Sequence, residues 1–190
     1  MLNAVHQPLR FEPFFRPMIW GGRSISRFLG KNLPTGDACG ESWEVSDHPI
    51  HVSRLATSSL FGVTLRRLMQ ERAADLLGPA VPRSQAGAWE RGRFPWLIKL
   101  LDVQDRLSVQ VHPDEEAVKK LWPDESAKTE AWYILDAKPE SRIYAGLKPN
   151  VGPREFALAL ERGTIADCLD RKSTRLNSSH IQKSRMPSSA

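Results

Sequence analysis

The chain of 190 residues predicts a mainly β protein with helical decoration, an α+β fold, on three observations. Residues 40–48 (Gly-Glu-Ser-Trp-Glu-Val-Ser-Asp-His) and 107–112 (Leu-Ser-Val-Gln-Val-His) alternate polar and apolar side chains with the period of a half-buried strand. Residues 94–102 are nearly continuously apolar, the pattern of a strand buried on both faces, with Lys99 embedded in it. Against these stands one clear helical pattern, over 64–77.

In chain order, residues 1–22 mix aromatics with Pro13 and Pro17, which removes ladder donors and predicts an edge strand or extended arm. Gly21 and Gly22 after Trp20 mark a turn or a close backbone approach. A short helix capped by Ser24 is expected over 24–29. In 40–48 the alternation puts Glu41, Trp43, Val45 and Asp47 on one face, and a carboxylate beside Trp and Val requires a partner. A strand follows over 51–55. The helix over 64–77 begins at a capping Thr64, carries its apolar stripe on Leu65, Leu68, Met69, Leu76 and Leu77, and ends at Gly78-Pro79.

A loop is expected over 82–92, then the apolar strand 94–102. A turn at Gln104-Asp105 would lead into 107–112 as a hairpin-like pair, bringing Lys99 within reach of Ser108. Asp114 starts a helix that Trp122-Pro123 stops. Strands over 128–135 and 141–147 flank a turn at Lys138-Pro139, and short helical patterns over 153–160 and 164–169 follow, the first with proline at its start.

The polar face of 107–112 is where chemistry first shows. An ordinary strand puts Lys, Thr or Glu on its water side, whereas here stand Ser108, Gln110 and His112. A single histidine on a strand is usually a hydrogen-bonded residue. The reading turns toward a metal ion only when a carboxylate joins it, and Glu130, heading the next strand beside Lys128, is the candidate.

Composition sets the bounds. The chain is 41% hydrophobic and 26% charged, suited to a soluble globular domain. No apolar run reaches membrane-span length and the start lacks a charged-then-apolar leader pattern, so a cytoplasmic location is the default expectation. Cys39 and Cys168 are too few and too far apart for a disulfide framework or a thiolate metal site. The net charge of +5 comes mainly from residues 170–190, where five basic residues face one acidic one. The rest is nearly neutral, with 22 basic and 21 acidic residues, so nothing in the body asks for a nucleic-acid partner.

Residues 170–180 (Asp-Arg-Lys-Ser-Thr-Arg-Leu-Asn-Ser-Ser-His) read as a translation of a short-read sequencing adapter, and 184–190 resemble its continuation. Residues 170–190 are therefore expected to be a non-native, disordered tail, with 1–169 the N-terminal part of a longer domain.

Five motifs now stand in order: Ile19-Trp20-Gly21-Gly22, Gly40-Glu41-Ser42-Trp43-Glu44, Phe94-Pro95-Trp96-Leu97-Ile98-Lys99, residues 107–114 (Leu-Ser-Val-Gln-Val-His-Pro-Asp) and residues 128–133 (Lys-Thr-Glu-Ala-Trp-Tyr). Together, over about residues 9–169, they resemble class I mannose-6-phosphate isomerase, a zinc enzyme of the cupin superfamily. The resemblance implies a cupin-type β-barrel, or jelly roll, incomplete here because the C-terminal half is missing. It implies Gln110, His112 and Glu130 as zinc ligands, and Trp20, Glu41, Lys99, Ser108 and Lys128 around a sugar-phosphate pocket. Among these, Trp20 and Lys99 would bind substrate, and Lys128, Glu41 and Ser108 would serve catalysis. A fourth ligand, a histidine, and a pocket arginine belong to the family's later segment, so this chain is expected to be inactive by itself.

The residue types suit the implied reaction. Interconverting mannose 6-phosphate and fructose 6-phosphate moves a proton between C1 and C2 through an enediol. That needs donors or a Lewis acid for the oxygen charge, a base at the carbon, and a cationic hold on phosphate. Glu41 or a zinc-bound hydroxide would be the base, and either lysine suits oxyanion or phosphate. The expected partner is a small hexose phosphate, with no nucleic acid and no membrane. The alternative is a non-catalytic cupin domain that binds a sugar phosphate without chemistry.

Overall fold

The computed structural model describes residues 8–36, 38–56, 60–78, 92–122, 127–173 and 179–182. They fall into two compact units, Met1–Ser108 and Val109–Ala190.

The first unit runs β1 (Phe14–Gly22), α1 (Ser24–Leu29), β2 (Cys39–Val45), β3 (Asp47–His48), β4 (His51–Val52), α2 (Leu65–Leu77) and β5 (Ile98–Leu101). Strands β1, β2 and β5 form an antiparallel sheet with β2 in the middle, and β3 and β4 make a small hairpin. Central position explains burial: Cys39 through Trp43 are all buried, because β2 is covered along both edges. Pro17 lies where the β1–β2 register slips, on an edge strand as expected of a residue without an N–H. Trp43, Leu55, Leu65, Leu68 and Met69 fill the core, and Phe14 meets Trp43 edge-on at 5.8 Å.

Helix α2 forms as its local signals require. The Thr64 side chain accepts the Arg67 N–H at 3.2 Å, and Gly78 closes the helix at φ 74°, a conformation that favours glycine. Helix α1 corrects an expectation. Ser24 lies inside it, and the Ser24 N–H is taken by the carboxylate of Asp102, 78 residues away.

Asp102 also explains why the hairpin expected between 94–102 and 107–112 is absent. The segment after β5 is tied back to the first strands: Asp102 N–H donates to Gly40 O at 3.0 Å, Gln104 N–H to Trp20 O at 2.9 Å, and the Gln104 amide to Asp102 Oδ1 at 2.6 Å. Residues that would have made the turn are used in this clip. Residues 107–112 are irregular rather than a strand, and Val109 and Val111, expected inward, are exposed. Only Ile98–Leu101 of the apolar run is a strand, and it lies on a sheet edge with Trp96, Leu97 and Ile98 exposed instead of buried on both faces. Lys99 consequently pairs across from Trp43, not from the 107–112 segment.

The second unit runs α3 (Glu115–Leu121), β6 (Glu130–Tyr133), β7 (Arg142–Leu147), α4 (Pro153–Glu161), a 3₁₀ turn (Ile165–Cys168), β8 (Leu169–Ser173) and β9 (Ser179–Gln182). Asp114 caps α3 by accepting the Ala117 N–H at 2.8 Å, and Pro153 opens α4 while Glu155 reaches back to the Gly152 N–H at 3.0 Å. Two antiparallel pairs, β6–β9 and β7–β8, make up its sheets. Residues 170–173 and 179–182, expected to be disordered, therefore lie in strands. The open edges of β6 and β7 offer backbone donors and acceptors to any extended segment, whatever its side chains.

Sheet elements and a few helices thus make the fold, but among the described residues the strands lie in four small sheets and no closed barrel forms. Both cysteines are free and buried. No helix among the described residues is long and apolar enough to cross a membrane. The loop expected over 82–92 lies, apart from Gly92, outside the described residues, as do 174–178 and 183–190.

Candidate functional site

Each unit carries one cluster of the anticipated residues, built on a strand with the order Glu-X-Trp. In the first, Glu41 and Trp43 of β2 point the same way, two residues apart, and the Trp43 indole N–H donates to Glu41 Oε2 at 2.7 Å. Cross-strand pairing supplies the rest. Arg16 of β1 stands opposite Glu41 and its Nη1 donates to Oε2 at 2.9 Å; Lys99 of β5 stands opposite Trp43 and its Nζ reaches Oε1 at 3.1 Å. The Arg16 guanidinium also lies 5.0 Å from the Trp43 ring centre. Burial pushes the Glu41 carboxyl up, but the Trp43 donor and then Lys99 and Arg16 outweigh it, and the group is held below its ordinary range. The partner that a buried carboxylate here required is thus threefold. So held, Glu41 is ionised and a weak proton acceptor.

Trp20 is half-buried at the end of the same sheet. Its ring edge lies against Gly40, where an added Cβ would come 2.7 Å from Cζ3, and Gly21 packs so closely on the β2 backbone that a Cβ would meet Gly40 N at 2.4 Å. The close approach expected of the glycine pair is real. Ser108 is exposed, on irregular backbone at the end of this unit.

In the second unit, Glu130 opens β6 with Trp132 two residues on. Trp132 Nε1 donates to Glu130 Oε2 at 3.3 Å, Lys128 Nζ lies 2.6 Å from Oε1, and His112 Nε2 lies 3.0 Å from Oε2. The His112 side chain is buried to 8% exposure. Burial raises the Glu130 carboxyl, while the donors from Lys128 and His112 overcome it and bring it down to about 2. Gln110 lies exposed on the irregular segment two residues before His112.

The clusters share a plan: a strand glutamate with an indole on Oε2 and a lysine on Oε1. They differ in the third partner, which decides the chemistry. Arg16 is a permanent cation and cannot ligate a metal, so the first cluster has a net positive charge and suits an anion. His112 donates from Nε2 to Glu130 here, and once that proton is given up the imidazole would offer one nitrogen beside one carboxylate oxygen, two atoms that already converge. Zinc bonds of about 2.0 Å in a tetrahedral site place two ligand atoms roughly 3.3 Å apart, close to the His112–Glu130 separation. Among the described residues no group of three or more His, Cys, Asp or Glu could hold a metal, so these two need Gln110 or another donor.

Arg16 and Trp132 were not anticipated as site residues. The Trp132 role was legible, since Glu130-Ala131-Trp132 repeats Glu41-Ser42-Trp43. Arg16 had no local signal, because only the β1–β2 register sets it opposite Glu41.

Comparison with known proteins gives a consistent result. The family model for the phosphomannose isomerase type I catalytic domain matches residues 9–146. Mannose-6-phosphate isomerase ManA of Bacillus subtilis is 36% identical over 110 residues, covering 58% of this chain and 31% of ManA. The mannose-6-phosphate isomerase of Streptococcus mutans is 35% identical over 108 residues, covering 57% and 31%. The crystal structure of the B. subtilis mannose 6-phosphate isomerase superposes with a TM-score of 0.80 at 29% identity, over 96% of this chain and 53% of that one. The chain thus spans about a third of the length of these curated relatives.

Proposed function

This chain belongs to the phosphomannose isomerase type I family, and on that premise we propose that it carries part of a zinc-dependent aldose–ketose isomerase acting on mannose 6-phosphate and fructose 6-phosphate. The observation that carries the reading is the convergence of His112 Nε2 on Glu130 Oε2 at 3.0 Å, with Lys128 on the opposite oxygen. A cupin-type barrel completed by further strands is part of the proposal, as is the non-native origin of residues 170–190.

In this reading His112, Glu130 and Gln110 hold zinc, which, when bound, supplies Lewis-acid stabilisation of the oxygen charge in the enediol. Lys128 holds a proton at Nζ, fixed by Glu130, and offers it to a sugar oxygen; the Ser108 hydroxyl is a second donor. Lys99 grips the anionic end of the substrate, and Trp20 offers a flat apolar face to the sugar. Glu41 serves the reaction by orienting Lys99 more than by taking a proton, since three donors already occupy its oxygens.

The test is zinc bound per chain. One zinc is expected, lost in His112→Ala and in Glu130→Ala and kept in Thr64→Ala. Retention of zinc in both ligand variants would sink the metal assignment. Fructose 6-phosphate formation is measured alongside and is expected to be low for the 190-residue chain, because only two strong donors converge. Robust turnover by the chain stripped of its zinc, with no metal restored, would overturn the mechanism.

A further inference from the structure

We propose that Arg16 and Lys99, held on the two oxygens of Glu41, form an oxyanion grip whose ligand is a phosphate group. The inference rests on the sugar-phosphate reading above and adds Arg16 to it.

Arg16 pairs opposite Glu41 across β1–β2, and Lys99 opposite Trp43 across β2–β5, so all four side chains share one face of the sheet. Depth separates their roles. The Glu41 side chain is only 9% exposed, whereas Arg16 is 32% and Lys99 25% exposed, so two cations rise toward solvent above a buried carboxylate. The carboxylate spaces them: one cation sits on each oxygen, and the indole N–H of Trp43 shares Oε2. The Trp43 ring, 5.0 Å from the guanidinium carbon, fixes the arginine from a second side.

Arg16 spends only Nη1 on Glu41. Among the described residues its Nε and Nη2 meet no hydrogen-bond acceptor, and these donors form the planar fork that fits two phosphate oxygens. Two cations against one carboxylate leave a net charge of +1, enough to favour an anion without the cations repelling each other out of position. Glu41 is in this arrangement a positioning residue.

The experiment titrates the full chain with inorganic phosphate, mannose 6-phosphate and mannose by calorimetry, with near-ultraviolet circular dichroism as the fold check. The variants are Arg16→Gln, Arg16→Lys and, as a control for general basic charge, Arg67→Gln on α2. Arg16→Gln is expected to weaken inorganic phosphate and mannose 6-phosphate alike, on the order of tenfold, with mannose unaffected. Arg16→Lys restores part of the affinity, and Arg67→Gln leaves it unchanged. Should Arg16→Gln lose its fold, Arg16→Lys carries the test through its own loss of roughly threefold. Wild-type phosphate affinity in the folded Arg16 variant, or an equal loss in Arg67→Gln, overturns the grip. Failure of zinc binding with phosphate affinity intact would retire the isomerase reading and leave the grip standing.

Discussion

The indole N–H of Trp43 donates to Glu41 Oε2 at 2.7 Å, and Trp132 repeats the same bond toward Glu130 Oε2 at 3.3 Å. A strand places residues two apart on one face, so Glu-X-Trp is a local device for holding a carboxylate whose other partners arrive from elsewhere in the fold.

The two copies differ in burial, and their removal should differ accordingly. Trp43 is 3% exposed, so Trp43→Phe leaves a buried carboxylate one donor short and should cost about 1–3 kcal/mol. Trp132 is only half-buried and its bond is longer, so Trp132→Phe should cost less than about 1 kcal/mol. Urea unfolding of both variants checks the ordering; a larger loss at Trp132 contradicts it.

Acid should destabilise the first unit in two stages. His51 is stacked on Phe14 at 4.1 Å and its buried Nε2 meets no hydrogen-bond partner among the described residues, and burial, then Arg54, lowers its pKa from 6.5. A folded value below the unfolded one means stability is complete above about pH 6.5 and declines as pH falls through the folded value. Glu41 is likewise lowered, from 4.5, so its contribution is complete above pH 4.5 and is lost at more acid pH. Unfolding midpoints against pH should therefore show an upper step that His51→Phe removes and a lower one that Glu41→Gln removes. A curve flat from pH 7 to 5 in the wild type contradicts the His51 assignment.

Asp102 is 5% exposed and joins α1, β2 and the segment after β5 through its backbone and side chain. Asp102→Ala should cost about 2–3 kcal/mol, and Asp102→Asn less, because the amide oxygen still accepts one bond. Gly21→Ala should be harsher than either, since its Cβ would lie 2.4 Å from a backbone nitrogen that cannot swing aside. Thermal unfolding ranks the three; a Gly21→Ala midpoint at the wild-type value would show that β1 and β2 can separate freely.

Zinc should stabilise the folded chain by mass action. At a free concentration a hundredfold above its dissociation constant the gain is about 2.7 kcal/mol. The melting temperature should rise with zinc in the wild type and stay constant in His112→Ala. An equal rise in both would place the metal elsewhere.

Local elements were legible because their signals are local. Thr64 and Gly78 bound α2, Asp114 caps α3, Pro153 opens α4, and Pro17 marks an edge strand; each acts through backbone groups within a few residues. The alternation in 40–48 correctly put Glu41 and Trp43 on one face, and the pairing of His112 with Glu130 was anticipated. The same alternation misled at 107–112, where no ladder partner is present among the described residues, because a period of two specifies faces and not a neighbour. Ser24 looked like a helix cap but lost that place to Asp102, a competitor no local pattern reveals.

Sequence by itself therefore determined the family, the caps and the residue types of both glutamate clusters, since these reside in short patterns that neighbouring residues carry. Tertiary structure alone decided what each glutamate became. Strand register set Arg16 on Glu41 and chain reversal brought His112 to Glu130, so one carboxylate anchors permanent cations and the other faces a nitrogen able to take a metal. The physical reason is that a carboxylate's chemistry is fixed by its third partner, and that partner comes from a distance along the chain.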